Sequence, residues 1–257
     1  MVIYSNMGKD NQSDQKKKAG FSEAGQHFLA QPSALAFGDN GNFSTIHETS
    51  QLTQGPVNMG GTPEDFMGPT MWTSDLAFFN GGHSGHLDMM HNTPLGMGIA
   101  WEKDNVYWVF DGYHQSITRY DFVEDHGLGG SDHSDGIVSR YVQGNVKRTP
   151  NVVSHMEIDH DTGLLYIADT GNNRIAILDT KTGSKGADLT SPNYDCSAFI
   201  CPDYHYVDGV VFRELINGAS QGMSQPSGLA LHGDNLYISD YASGIIYGFT
   251  KEGKLLD

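Results

Sequence analysis

The chain is poor in cysteine, in positive charge and in long apolar runs, and each scarcity excludes something. No apolar stretch reaches the roughly 18 residues that a membrane-spanning helix needs. The basic run Lys16-Lys17-Lys18 is not followed by an apolar segment, so the sequence predicts no signal peptide in the chain as it stands. Fifteen lysines and arginines face 31 acids, for a net charge of −16. That balance argues against nucleic acid, whose affinity comes from neutralising phosphates. It suits bound cations or plain solubility. The two cysteines, Cys196 and Cys201, stand in one irregular loop. A local disulfide fits that spacing, and with it an extracellular or periplasmic location. A zinc pair would need further ligands from elsewhere in the chain. No nucleophile elbow, phosphate loop or dinucleotide fingerprint stands in a credible context. Gly127-Leu128-Gly129-Gly130 does not link a strand to a helix.

What the chain has instead is 32 glycines and many short apolar runs between turn residues. In the stretch Val153–Gly183, the runs Met156–Asp159, Leu164–Ala168 and Ile175–Leu178 are separated by Asp161-Thr162-Gly163 and by Asp169-Thr170-Gly171-Asn172-Asn173. Runs of this length between such turns are strands rather than helices. The unit recurs at Pro226–Phe249 and Leu95–Tyr120, and more weakly at Pro32–His47. A meander of this kind buries its faces only by stacking on others. Residues 1–25 are polar and predicted to fray, with residues 26–257 forming one all-β domain. Ile137–Val142 and Val210–Leu215 are predicted as outer strands.

The repeated pattern, Pro then Gly-Leu-Ala, then Leu-Tyr-Ile-x-Asp, then a turn and Asn-Arg-Ile, resembles the NHL-repeat family of β-propellers. That resemblance implies four-stranded blades around an axis, with six blades the family-like number. Four copies are visible, and the chain after Leu229 has room for only three strands. The expectation is therefore either another blade hidden in the first 90 residues or blades missing beyond the C-terminus. In such a fold Met97, Ser154, His155 and Ser227 belong at the starts of innermost strands. Asp111, Asp169 and Asp240 belong in turns on the same face.

Two constellations carry candidate chemistry. His83, His86 and His91 lie in one connection that enters the axial face, where His114 and His155 are also expected. Imidazoles beside carboxylates such as Asp88 and Asp111 suit a divalent Zn, Cu or Fe ion. Such a metal would polarise a substrate or activate water, as in a lyase or hydrolase. Tyr113 would then be a candidate acid or base, and Asp111 a residue orienting a ligand. The competing reading is that these histidines bond backbone groups in an irregular loop. The second constellation gathers Asp121, Glu124, Asp125, His126, Asp132, His133 and Asp135 around a glycine-rich bend. It suits Ca²⁺, or a transition metal through the histidines; a solvated acidic loop is the alternative.

Among NHL propellers that are enzymes, the peptide-amidating lyase is similar in look. Its zinc histidines stand at inner-strand starts, where this sequence has Met97, Ser154 and Ser227, with His155 one residue off. Its catalytic tyrosine stands in an Asp-Gly-Tyr turn, matched here by Asp111-Gly112-Tyr113. The non-catalytic reading is a propeller that binds a small molecule, peptide, glycan or protein partner through exposed aromatics such as Trp72, Tyr113 and Tyr241.

Overall fold

The computed structural model describes residues 2–5, 8–16, 31–48, 68–75, 78, 86–128, 130, 132–189 and 202–256. The chain begins with an antiparallel hairpin, β1 (Val2–Ser5) and β2 (Ser13–Lys16), beyond which the propeller starts. The first blade is β3 (Pro32–Phe37), β4 (Asn42–His47), β5 (Thr70–Thr73) and β6 (His86–Met89), paired in that order. The second is β7 (Gly96–Lys103), β8 (Val106–Asp111), β9 (Ser116–Asp121) and β10 (Ile137–Tyr141). The third blade opens with β11 (Met156–Asp159), β12 (Leu164–Asp169) and β13 (Arg174–Asp179). Before it closes, β14 (Ser184–Asp188) and β15 (Asp203–Asp208) leave it to extend the second blade, β15 running parallel to β10. The chain then returns as β16 (Phe212–Asn217), the outer strand of the third blade. The fourth blade is β17 (Pro226–His232), β18 (Asn235–Asp240) and β19 (Ile246–Thr250).

Each visible repeat thus builds one blade, and among the described residues the architecture is an all-β propeller arrangement of four blades. Its only helical pieces among the described residues are 3-10 turns at Asp39–Gly41, Thr170–Asn172 and Ala219–Gln221. No helix there is long and apolar enough to cross a membrane. Cys196 and Cys201 lie outside the described residues.

Blades stack because each sheet is apolar on both faces. Between blades one and two lie Ile46 and Met71 against Ile99, Tyr107 and Val109. Between two and three, Trp108, Phe110 and Ile117 meet Met156, Leu165 and Ile167. Between three and four, Tyr166, Ala168 and Ile175 meet Leu229, Leu236 and Ile238. At about 25 cal/mol per Å² of apolar surface these contacts are the main drive for association of the blades.

The inner strands β3, β7, β11 and β17 pack side by side. Their entry residues bond in series. The Ser33 hydroxyl donates to the Gly96 carbonyl at 2.6 Å, Ser154 N–H to the Met97 carbonyl at 3.1 Å, and His155 N–H to the Ser227 carbonyl at 2.9 Å. Met97, Ser154, His155 and Ser227 therefore sit at inner-strand starts, as the repeat alignment predicts. Gly98 permits this approach: a Cβ there would stand 2.0 Å from the Ser154 carbonyl oxygen.

Candidate metal centre

Among the described residues one cluster of ligand-type side chains joins residues from both sequence constellations. Asp88 lies on β6 of the first blade, and His126 and His133 lie in the connection between β9 and β10 of the second. One ligand atom from each falls within 4.8 Å of the other two. His133 Nδ1 is 2.8 Å from Asp88 Oδ1, and His126 Nε2 is 3.9 Å from the same oxygen. A tetrahedral ion with bonds of about 2.0–2.2 Å places its ligand atoms about 3.3–3.5 Å apart. Small side-chain adjustments would bring the three atoms to that spacing.

The sequence builds this cluster in a definable way. Strand β6 reads His-Leu-Asp-Met, and Leu87, Asp88, Met89 and Met90 are all buried. A carboxylate in so apolar a strand must find partners, because an isolated buried charge costs several kcal/mol. Met89 N–H donates to Asp88 Oδ1 at 2.6 Å, and His133 supplies the second bond. Burial pushes the Asp88 carboxyl above its usual range, a rise opposed by the bonds and charges of His133 and His126. Asp88 is 1% exposed and His133 6%. The loop is held down by the His133 carbonyl accepting from Gly136 N–H, while Gly136 itself lies against the Met90 sulfur. His91 is buried nearby, its ring 6.2 Å from that of His133.

The other predicted positions go elsewhere. His83 lies outside the described residues, as does the side chain of His86. His91, His114 and His155 do not gather into one group among the described residues. His114 Nδ1 is 2.7 Å from Asp111 Oδ2, and His155 Nδ1 meets the backbone of Leu229 on the adjacent blade. Desolvation holds the His155 pKa below its ordinary value. Among the described residues His91, His114 and His155 do not converge at the axial face, and the ligand-type cluster that does form joins β6 to the β9–β10 connection.

The calcium-like arrangement is also not formed among the described residues. Asp121, Asp125 and Asp132 each accept a backbone N–H two residues ahead, from Val123, Gly127 and Ser134, and Asp135 accepts from Glu124. These carboxylates brace turns and do not converge on one point. Asp111, in contrast to these, is fully buried, and it too braces a turn, accepting from Tyr113 N–H, His114 N–H and the Ser116 hydroxyl. Tyr113 and Tyr241 are exposed as the binding-module reading requires, but Trp72 is not. It is 1% exposed, stacked on Phe43 and bonded to the Thr45 hydroxyl.

At the axis a cavity of about 250 Å³ opens between β3, β7 and β11, lined by Ala36, Ile99, Trp101, His155, Glu157 and His160. Glu157 makes no hydrogen bond or ion pair with the described residues, and burial raises its pKa. The His160 ring lies 5.3 Å from that of Trp101.

No family model matches the sequence, and no curated protein matches it. Solved structures do resemble it in shape. An auxiliary nutrient binding protein from Bacteroides ovatus is 13% identical over 95% of this chain and 48% of its own, at a TM-score of 0.49. A luciferin-regenerating enzyme is 15% identical over 82% of this chain and 52% of its own, at 0.39. A functionally unknown protein from Desulfotomaculum acetoxidans is 11% identical over 100% and 77%, at 0.43. The chain spans about half the length of the first two. At such scores and identities these likenesses say nothing of activity.

Proposed function

We propose that this chain is a propeller that binds a divalent transition metal, zinc by preference, through Asp88, His126 and His133. The observation that carries it is the approach of two imidazoles and one carboxylate to within 4.8 Å, contributed by elements of two blades. Mixed nitrogen and oxygen donors suit zinc, whereas calcium takes oxygen donors alone. The burial of the ligands favours a fixed ion that ties β6 to the β9–β10 connection over one that meets substrate.

Zinc titrated into metal-stripped protein should bind near one equivalent and raise Tm. At a thousandfold excess over Kd the added stability is about 4 kcal/mol. His133→Ala or Asp88→Ala should weaken binding at least about 100-fold, since each removes a direct ligand. Because the ligands must lose their protons, affinity should fall as pH drops, and binding should release protons. Stoichiometry below about 0.2 equivalents with no rise in Tm would sink the metal reading. The surviving reading would be a non-catalytic module that takes a small ligand in the axial cavity, where Glu157 and Trp101 stand together.

The same proposal includes the Cys196–Cys201 disulfide and an oxidising compartment. Intact mass before and after reduction should differ by two hydrogens per chain. An unchanged mass would remove the bond and the argument for location.

A further inference from the structure

The axial cavity has an uneven lining. Its decisive side chains belong to β7, to β11 and to the turn after β11, in the second and third blades. Each of those blades has a described blade on either side. Trp101 is half-buried, and its Nε1–H donates to the Asp104 carbonyl at 3.0 Å. That bond fixes the ring and uses the only polar hydrogen of the indole. The His160 ring tilts against it, with 5.3 Å between centroids. Ile99 and Met156 add apolar wall.

Glu157 stands out in these surroundings. A half-buried carboxylate is costly unless an opposite charge or a donor faces it. Asp88, Glu102, Asp159 and Asp169 each face an imidazole, guanidinium or ammonium nitrogen at 2.8–2.9 Å. Glu157 has no such partner among the described residues, and the described lining of the cavity holds neither lysine nor arginine. Burial raises the Glu157 pKa because nothing in the fold favours the charged form. His155 does not oppose a cation. Its Nδ1 meets the Leu229 backbone, and desolvation lowers its pKa, so the ring is uncharged at neutral pH. The net charge of −16 adds a field that draws cations towards the chain.

We infer that the axial cavity binds a small methylated ammonium ion, with the Glu157 carboxylate facing its charge and the Trp101 indole against its methyl groups. Aromatic faces attract such ions through the ring quadrupole. A primary ammonium carries three N–H donors, and the lining offers it few acceptors. A quaternary one carries none, and its methyl groups suit Ile99, Met156 and Trp101. The volume of about 250 Å³ lies just under the range for drug-sized ligands, so the occupant is small. None of Asp88, His126 and His133 lines this cavity, so the zinc titration and the test below succeed or fail separately.

Calorimetric titration of the full chain with choline tests this. Two controls run alongside: the uncharged isostere in which carbon replaces the quaternary nitrogen, and ethanolamine as the primary ammonium. Choline is expected to bind with a Kd of about 1 mM or tighter. Both controls should bind at least about fivefold more weakly. Glu157→Gln should weaken choline binding at least about tenfold, and Trp101→Leu at least about fivefold. Because Glu157 has no partner in the fold, Glu157→Gln should keep the wild-type Tm or raise it, which separates lost binding from unfolding. No binding of choline up to about 20 mM would overturn the inference. So would equal affinity for the uncharged isostere, tighter binding of ethanolamine, or unchanged choline affinity in Glu157→Gln.

Discussion

Asp169→Ala is expected to cost about 4 kcal/mol, because it removes one member of a buried, hydrogen-bonded charge pair. Asp169 ends β12 with no exposed surface. Its Oδ1 accepts from Lys147 N–H at 2.7 Å, and its Oδ2 from Asn172 Nδ2 and Arg174 Nε, each at 2.8 Å. The first bond ties the segment after blade two to blade three; the other two fix the turn into β13. Alanine would leave a backbone donor and a guanidinium without their acceptor. At about 2–4 °C per kcal/mol for a domain of this size, Tm should fall by roughly 10–15 °C. Urea denaturation of both proteins checks it, and a loss under about 1.5 kcal/mol would show that water replaces the carboxylate.

Asp240 performs the same task in the fourth blade, and its titration supplies a second readout. Burial alone would raise its pKa, but bonds from Gln225 N–H, Ser224 N–H and Ser243 outweigh it and hold the carboxyl below its ordinary value. A folded-state pKa below the unfolded one means that the stabilisation is present above the unfolded value, about 4. It is lost as pH falls through the folded value. Asp240→Asn should therefore be less stable than wild type at pH 7, with the gap closing below about pH 4.

These aspartates mark how much of the molecule was legible. Turn chemistry and apolar runs placed all four blades, and Leu-Tyr-Ile-x-Asp located the braces, because those signals are local. The pair β14 and β15 escaped notice, since β15 completes a sheet begun more than 60 residues earlier by pairing with β10. Its alternation Tyr204, His205, Tyr206, Val207 was a strand signal, hidden by the expectation of a loop around the cysteines. The candidate centre was half legible. His126 and His133 stood out as a histidine pair in a glycine-rich bend. Asp88 was assigned to the axial group, because spacing along the chain cannot reveal that β6 lies against the β9–β10 connection. The sign available in advance was a lone carboxylate within Leu87-Asp88-Met89-Met90.

The matched positions on successive blades allow one chemistry to be compared in two settings. Ile175→Ala should cost about 3 kcal/mol and Trp108→Ala about 4, the usual range for large apolar side chains truncated in a packed core. Ile175 lies in the core between blades three and four. Trp108 also loses a polar role: its Nε1–H donates to Glu102 Oε2 at 2.7 Å, the carboxylate that grips Arg119 Nε at 2.8 Å. Burial works against the Glu102 charge, but Arg119 and Trp108 together hold its pKa below the usual range. Removing the indole leaves that half-buried carboxylate with one donor fewer, so Trp108→Ala should exceed the isoleucine change. Ile246→Ala should stay within about 0.5 kcal/mol of wild type, because Ile246 is 71% exposed. The difference between Ile175→Ala and Ile246→Ala then measures what a covering blade contributes at one repeat position. Equal losses at the two sites would mean that Ile246 is covered in solution as Ile175 is.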